Sequence, residues 1–234
     1  MKTLLYALFA SFFFTQTVYA ATLPAAFTAI YNIKKGPIKL GEAVRQLKKT
    51  GSDWQYTSTS RTTGFFGAIV PTVIIQTSHF DWTNGMIRLR SYDFTKNKTA
   101  KVVHQVYNWD KKQVISQDGD KRHVYAIPDK VQDQSIYQLS LMLDIADGKR
   151  NFVYHVAENV RLKDYHIKYV GHDSIESNIN GTRGRIDTVK VSISTKDNKT
   201  TIWFSPAHFF IPAQIEFEEG GTSFMAYLKK LSTP

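Results

Sequence analysis

Apolar side chains recur at every second position along most of this chain, and a β-strand with one buried face requires that period of two. Phe27, Ala29, Tyr31 and Ile33 alternate with their neighbours before Lys34-Lys35-Gly36-Pro37 turns the chain. Ile38, Leu40 and Val44 then form a second strand, in which Gly41 marks a bulge or a close backbone approach. Trp54, Tyr56, Ser58 and Ser60 form a third. Residues 73–82 and 86–94 flank Thr83-Asn84-Gly85, and an Asn-Gly pair accepts the positive φ angles of a tight hairpin. The texture continues through 101–109, 113–117 and 122–127, then through 151–156, 161–170, 175–179, 185–195, 200–205, 212–218 and 223–231. Lys196-Asp197-Asn198-Lys199 and Glu219-Gly220-Gly221 supply the last turns.

One helix interrupts the strands. Asp133 or Ser135 caps its start, and Ile136, Leu139, Met142, Leu143 and Ala146 follow at helical spacing until Gly148 ends it. Such a stripe packs on a sheet. Short turns between sequential strands predict an antiparallel meander, and a sheet of about a dozen strands protects its edges by closing or curling. No linker, repeat or low-complexity run divides residues 21–234. The expected fold is all-β: a single-domain antiparallel barrel or half-barrel with one packed α-helix.

The first twenty residues follow other rules. Lys2 is a positive n-region, residues 4–14 are almost unbroken apolar, and Val18-Tyr19-Ala20 fits a signal peptidase site. An apolar run of about ten residues is too short for a bilayer core that needs roughly twenty. Residues 1–20 therefore read as a cleaved secretory signal, with Ala21 as the first mature residue and no transmembrane segment after it. The chain contains no cysteine, which removes disulfides, thiol chemistry and Cys-ligated metals, and leaves Ala21 without a thiol for lipid attachment. A Gram-negative periplasm is the expected compartment, and the protein is not a lipoprotein.

Lysine and arginine number 30 against 20 acidic residues, a net charge of +10. Such a charge attracts polyanions; export makes nucleic acid an unexpected partner and leaves anionic envelope components. Many of the lysines sit in pairs beside turns, as at Lys48-Lys49 and Lys111-Lys112, where they also discourage edge pairing. Enzyme signatures are missing: there is no Gly-x-Ser-x-Gly elbow, no His-Glu-x-x-His helix and no phosphate-cradling loop. Seven histidines are dispersed along the chain. His166 and His172 are the closest pair and lack a third ligand. Asp118, Asp120 and Asp129 stand beside Gly or Pro, as turn formers do. No catalytic residue, metal or cofactor is expected.

Paired aromatics are the more suggestive punctuation. Gly64-Phe65-Phe66-Gly67 and His208-Phe209-Phe210-Ile211-Pro212 place adjacent rings between chain breakers, and Trp203-Phe204 precedes the second. Adjacent strand residues face opposite sides, so both rings of a pair cannot enter one core face. Phe65, Phe66, Trp203, Phe209 and Phe210 are candidate ligand contacts at a cavity mouth; alternatively they plug the barrel ends.

Several stretches together resemble the bacterial family catalogued as domain of unknown function 3108, across nearly the whole of 21–234. They are Tyr31 to Gly41 as its first hairpin, Asp133 to Ser140 with Asp147-Gly148 as its central helix, and Gly171, Gly181-Thr-Arg-Gly184 and Trp203-Phe-Ser-Pro with Pro212 as its last strands. The resemblance implies the β-rich fold and assigns no catalytic residue. In general shape the chain is also similar to periplasmic lipoprotein carriers of the LolA and LolB type, which implies a curved sheet around a greasy cavity. The expected function is non-enzymatic binding of a hydrophobic or lipid-like envelope component; an assembly factor meeting an envelope protein or glycan through its surface is the alternative.

Overall fold

The computed structural model describes residues 23–97, 101–194 and 198–233. The expected signal segment and its cleavage point, and Lys196 and Asp197 of the Lys196–Lys199 turn, lie outside them.

Fifteen strands form one sheet. They are β1 (Phe27–Lys35), β2 (Ile38–Thr50), β3 (Asp53–Thr62), β4 (Val73–Thr83), β5 (Met86–Lys96), β6 (Lys101–Asn108), β7 (Gln113–Asp118), β8 (Lys121–Ala126), β9 (Gln132–Asp133), β10 (Asn151–Ala157), β11 (Leu162–Ile179), β12 (Thr182–Ser194), β13 (Asn198–Ser205), β14 (Ile211–Glu219) and β15 (Thr222–Ser232). Sequential strands are neighbours, β1 pairs with β15, and only β9 with β10 runs parallel. Asn84 and Gly85 both take positive φ, as a tight hairpin demands. Gly41 is a close approach: a Cβ there would lie 2.3 Å from the Arg61 carbonyl oxygen. The ladder between β1 and β2 also slips by one residue near it, between Ile33 and Lys34.

The meander does not close into a ladder. β8 and β9 are its two edges, and residues 127–131, with Ile127 and Val131 buried, run from one to the other. Side chains stitch the gap: Gln105 Nε2 and the Tyr125 hydroxyl both donate to the Glu158 carbonyl oxygen, at 2.9 and 2.5 Å. The all-β half-barrel is as expected. The fifteen strands differ from the expected dozen or so: β9, two residues long, carries no period to read, and residues 161–170 and 175–179, read as separate strands, form the single β11.

Helix α1 (Gly64–Ile69) follows β3, and α2 (Tyr137–Ala146) follows β9. The short α1 corrects the reading of its Phe-Phe pair as strand-like. Ile136, Leu139 and Leu143 are buried as the stripe requires, but Leu141 and Ile145 on other sides of α2 are buried too. A helix buried on nearly all sides is enclosed rather than laid on a surface, so α2 fills the hollow of the rolled sheet. Ala146 is the exception to the stripe and is exposed, because the helix emerges there. Asp133 Oδ1 accepts the Ser135 and Ile136 N–H groups at 2.8 and 2.7 Å ahead of the first turn, and Gly148 at φ +80° ends the helix.

Candidate functional site

Strand alternation decides what faces the hollow. On β2 the inward phase is Ala43, Arg45 and Leu47, and its cross-strand partners continue the rows. One row runs Ala29, Arg45, Ser58, Gln76, Phe94, and the next runs Phe27, Leu47, Tyr56, Ser78, Tyr92, Gln105, Ser116. An ordinary sheet core is apolar on such a face. Here eight of the twelve positions in these two rows carry hydroxyls, amides or a guanidinium.

The second row is dry and largely satisfied. Gln76 Nε2 donates to the Tyr92 hydroxyl at 2.9 Å, and the Tyr107 hydroxyl donates to Gln105 Oε1 at 3.2 Å. Desolvation raises the Tyr56, Tyr92 and Tyr107 phenols, so they stay neutral hydroxyls. Asp133 lies among them, fully buried. Loss of hydration pushes its carboxyl up to about 6, against the opposing pull of the Ile136 N–H, Ser78 and the Ser135 N–H. Ser78 lies beside the carboxylate yet outside hydrogen-bonding geometry, which leaves Asp133 Oδ2 and Ser78 Oγ both unpartnered.

The first row differs. Arg45, Ser58 and Gln76, together with Ser60 of the row beside them, face inward but remain half-buried, so α2 does not cover them. The Arg45 guanidinium stacks over the Tyr31 ring at 5.3 Å, next to the Tyr56 hydroxyl, and Tyr137 of α2 senses its charge. Arg45 Nη1 and the Tyr31 hydroxyl are buried and have no hydrogen-bond partner. The phase of Arg45 between Ala43 and Leu47 is the sequence signal that points to it. This uncovered polar row is the candidate site, and it suits binding; no nucleophile and base are paired in it.

The five aromatics singled out from the sequence are not brought together. β3 ends where β1 ends, so α1 with Phe65 and Phe66 sits at that end of the sheet. β13 ends where β1 begins, which puts Phe209 and Phe210 at the opposite end. Phe65 is exposed, and Phe210 packs against the core. Trp203 is buried outside the core cluster, with its Nε1 donating to Asp173 Oδ2 at 2.9 Å and Lys190 over its ring. One shared mouth for all five is therefore corrected: ten strands separate the segments, and α2 adds one more crossing between the parallel β9 and β10, which sends the segments to opposite ends.

Phe209 and Phe210 are both in the left-handed region, at φ +54° and +55°, where a bulky residue is strained by about 1–2 kcal/mol. Phe209 is 63% exposed, so its ring gains little from burial. Phe209→Gly is expected to stabilise the protein by about 1 kcal/mol, read as a raised urea midpoint at unchanged slope. A lower midpoint would show that the ring supports the turn.

Comparison with known proteins places this geometry. The family model described as "Protein of unknown function (DUF3108)" matches residues 27–229. The chain belongs to this family. The match spans the sheet from β1 to β15, so the rolled meander, α2 and the uncovered inner row all lie within the DUF3108 region. Among solved structures, the chain is similar to a β-barrel-like protein of the domain of unknown function DUF1849 from Brucella abortus. The TM-score is 0.58 at 11% identity, covering 90% of this chain and 98% of that one. That likeness shows the fold alone. No curated protein matches.

Proposed function

We propose that this DUF3108 protein is exported to the periplasm and binds a lipid-like envelope component, without catalysis, on the inner face of its rolled sheet. The observation that carries this reading is the half-buried row of Arg45, Ser58 and Gln76, an inward surface that the enclosed helix leaves uncovered. A filled structural core has no use for small polar groups there, because burying them costs free energy. The apolar walls beside the row, from Phe94 and Ile33 to α2, suit an acyl chain.

A second reading, an assembly factor that works through its surface, draws on the outer face of β6, β7 and β8. There Val106, Ile115 and Val124 are paired neighbours, and Val106 and Val124 are 40% and 47% exposed.

Native mass spectrometry of protein purified from its own envelope tests the first. The expected spectrum shows a polypeptide that begins at Ala21 and carries an adduct of lipid mass, removable by collisional activation. Bare protein, together with no binding of a fluorescent acyl-chain probe, would favour the surface reading. A polypeptide that retains Met1 would overturn export through a cleaved signal.

A further inference from the structure

Two buried polar atoms of the inner face bond to nothing. Arg45 Nη1 and the Tyr31 hydroxyl are both shut off from solvent and unpartnered, although Tyr31 as a whole is only 1% exposed. Each such orphan costs roughly 1–3 kcal/mol, more for a charged group, and native interiors keep few of them. The groups that surround the guanidinium are phenols: Tyr31 from β1, Tyr56 from β3 and Tyr137 from α2. Arg45 forms no ion pair with any described carboxylate; nearby Glu42 is engaged by Lys39 and Arg61. Asp133, the buried acid of the hollow, gives Oδ1 to the Ser135 and Ile136 N–H groups; its Oδ2 is unpartnered and forms no ion pair with Arg45.

A cation in a ring of hydroxyl donors, with its own counter-charge missing, is the complement of an oxyanion. A guanidinium presents parallel N–H donors that match two oxygens of a phosphate or carboxylate. Phenol hydroxyls kept neutral by desolvation would add donors for a third oxygen. We propose that Arg45, with the Tyr31 and Tyr56 hydroxyls, binds the oxyanion head of an amphiphile whose chain lies along the inner face. This rests on the reading of that face as a lipid-like binding surface. It adds a requirement for negative charge.

Isothermal titration calorimetry on lipid-stripped protein separates the two claims, with decyl phosphate, decanol and inorganic phosphate as probes. Wild type is expected to bind decyl phosphate about tenfold or more tighter than decanol. Arg45→Gln should bring decyl phosphate down to the decanol level and leave decanol unchanged. Tyr31→Phe, which keeps the ring and removes only the orphan hydroxyl, should weaken decyl phosphate several-fold without lowering the melting temperature; it carries the test if Arg45→Gln does not fold. Equal affinity for decyl phosphate and decanol in wild type, or an unchanged decyl phosphate affinity in both variants, overturns the oxyanion site while the lipid reading stands. Inorganic phosphate binding as tightly as decyl phosphate, and lost in Arg45→Gln, upholds the oxyanion site with a free anion as its source and ends the lipid reading. No binding of any probe overturns both.

Discussion

Leu139→Ala is expected to destabilise the protein by roughly 2–5 kcal/mol. Leu139 is fully buried on a helix whose residues are buried on nearly every side by the rolled sheet. A cavity opened there cannot relax easily, because the surrounding wall is a continuous ladder whose strands are fixed by their neighbours. The upper part of the range therefore applies. For a domain of this size the shift in melting temperature should be roughly 4–20 °C. Val153→Ala, on the outward phase of β10 and 55% exposed, should move it by little. Equal melting temperatures for Leu139→Ala and wild type would mean that α2 is not held inside the sheet.

Asp133→Asn should stabilise the protein at neutral pH and change the shape of its stability profile. In the folded chain burial raises the Asp133 carboxyl to about 6, from 3.8. A raised folded value means that the native state holds the proton more tightly than the unfolded state does. The stabilisation is then fully present below about pH 4 and is lost as pH rises through about 6. The loss amounts to up to about 3 kcal/mol across that window. Asparagine keeps the oxygen that accepts the Ser135 and Ile136 N–H groups, offers an amide N–H to the orphan Ser78 hydroxyl, and does not titrate. The variant should match wild type near pH 3.5 and exceed it by a few kcal/mol at pH 7.5. Denaturant midpoints across that range give the comparison; parallel curves for the two proteins would show that Asp133 is ionised at no cost.

The sheet was legible because period-two alternation and turn chemistry are local. Asn84-Gly85 and Gly148 act through their own backbone angles, and Gly41 through its missing Cβ. The enclosure of α2 was not legible: Leu141 and Ile145 look like ordinary tolerated apolars until the sheet curls around them. β9 was invisible because its two residues pair only with β10 across the intervening helix. The aromatic pairs misled for a related reason. Their ring chemistry is local, but which end of the sheet they occupy depends on counting strands. Arg45 was missed for another reason: Ile38, Leu40 and Val44 suggested the other phase of β2 as its apolar face, whereas the structure buries Gly41, Ala43 and Leu47 and so turns Arg45 inward.

The pairing of β1 with β15 joins Thr28 to Ser232, so the seam between first and last strands ties together positions some two hundred residues apart. Closing a loop of that length is slow and entropically costly compared with forming any of the hairpins. A ribosome releases residues 222–232 last among these strands, and until then β1 has no second neighbour and the roll cannot tighten around α2. Synthesis order thus postpones the native state. On the export route proposed above, the precursor would stay threadable for as long as its final strand is missing.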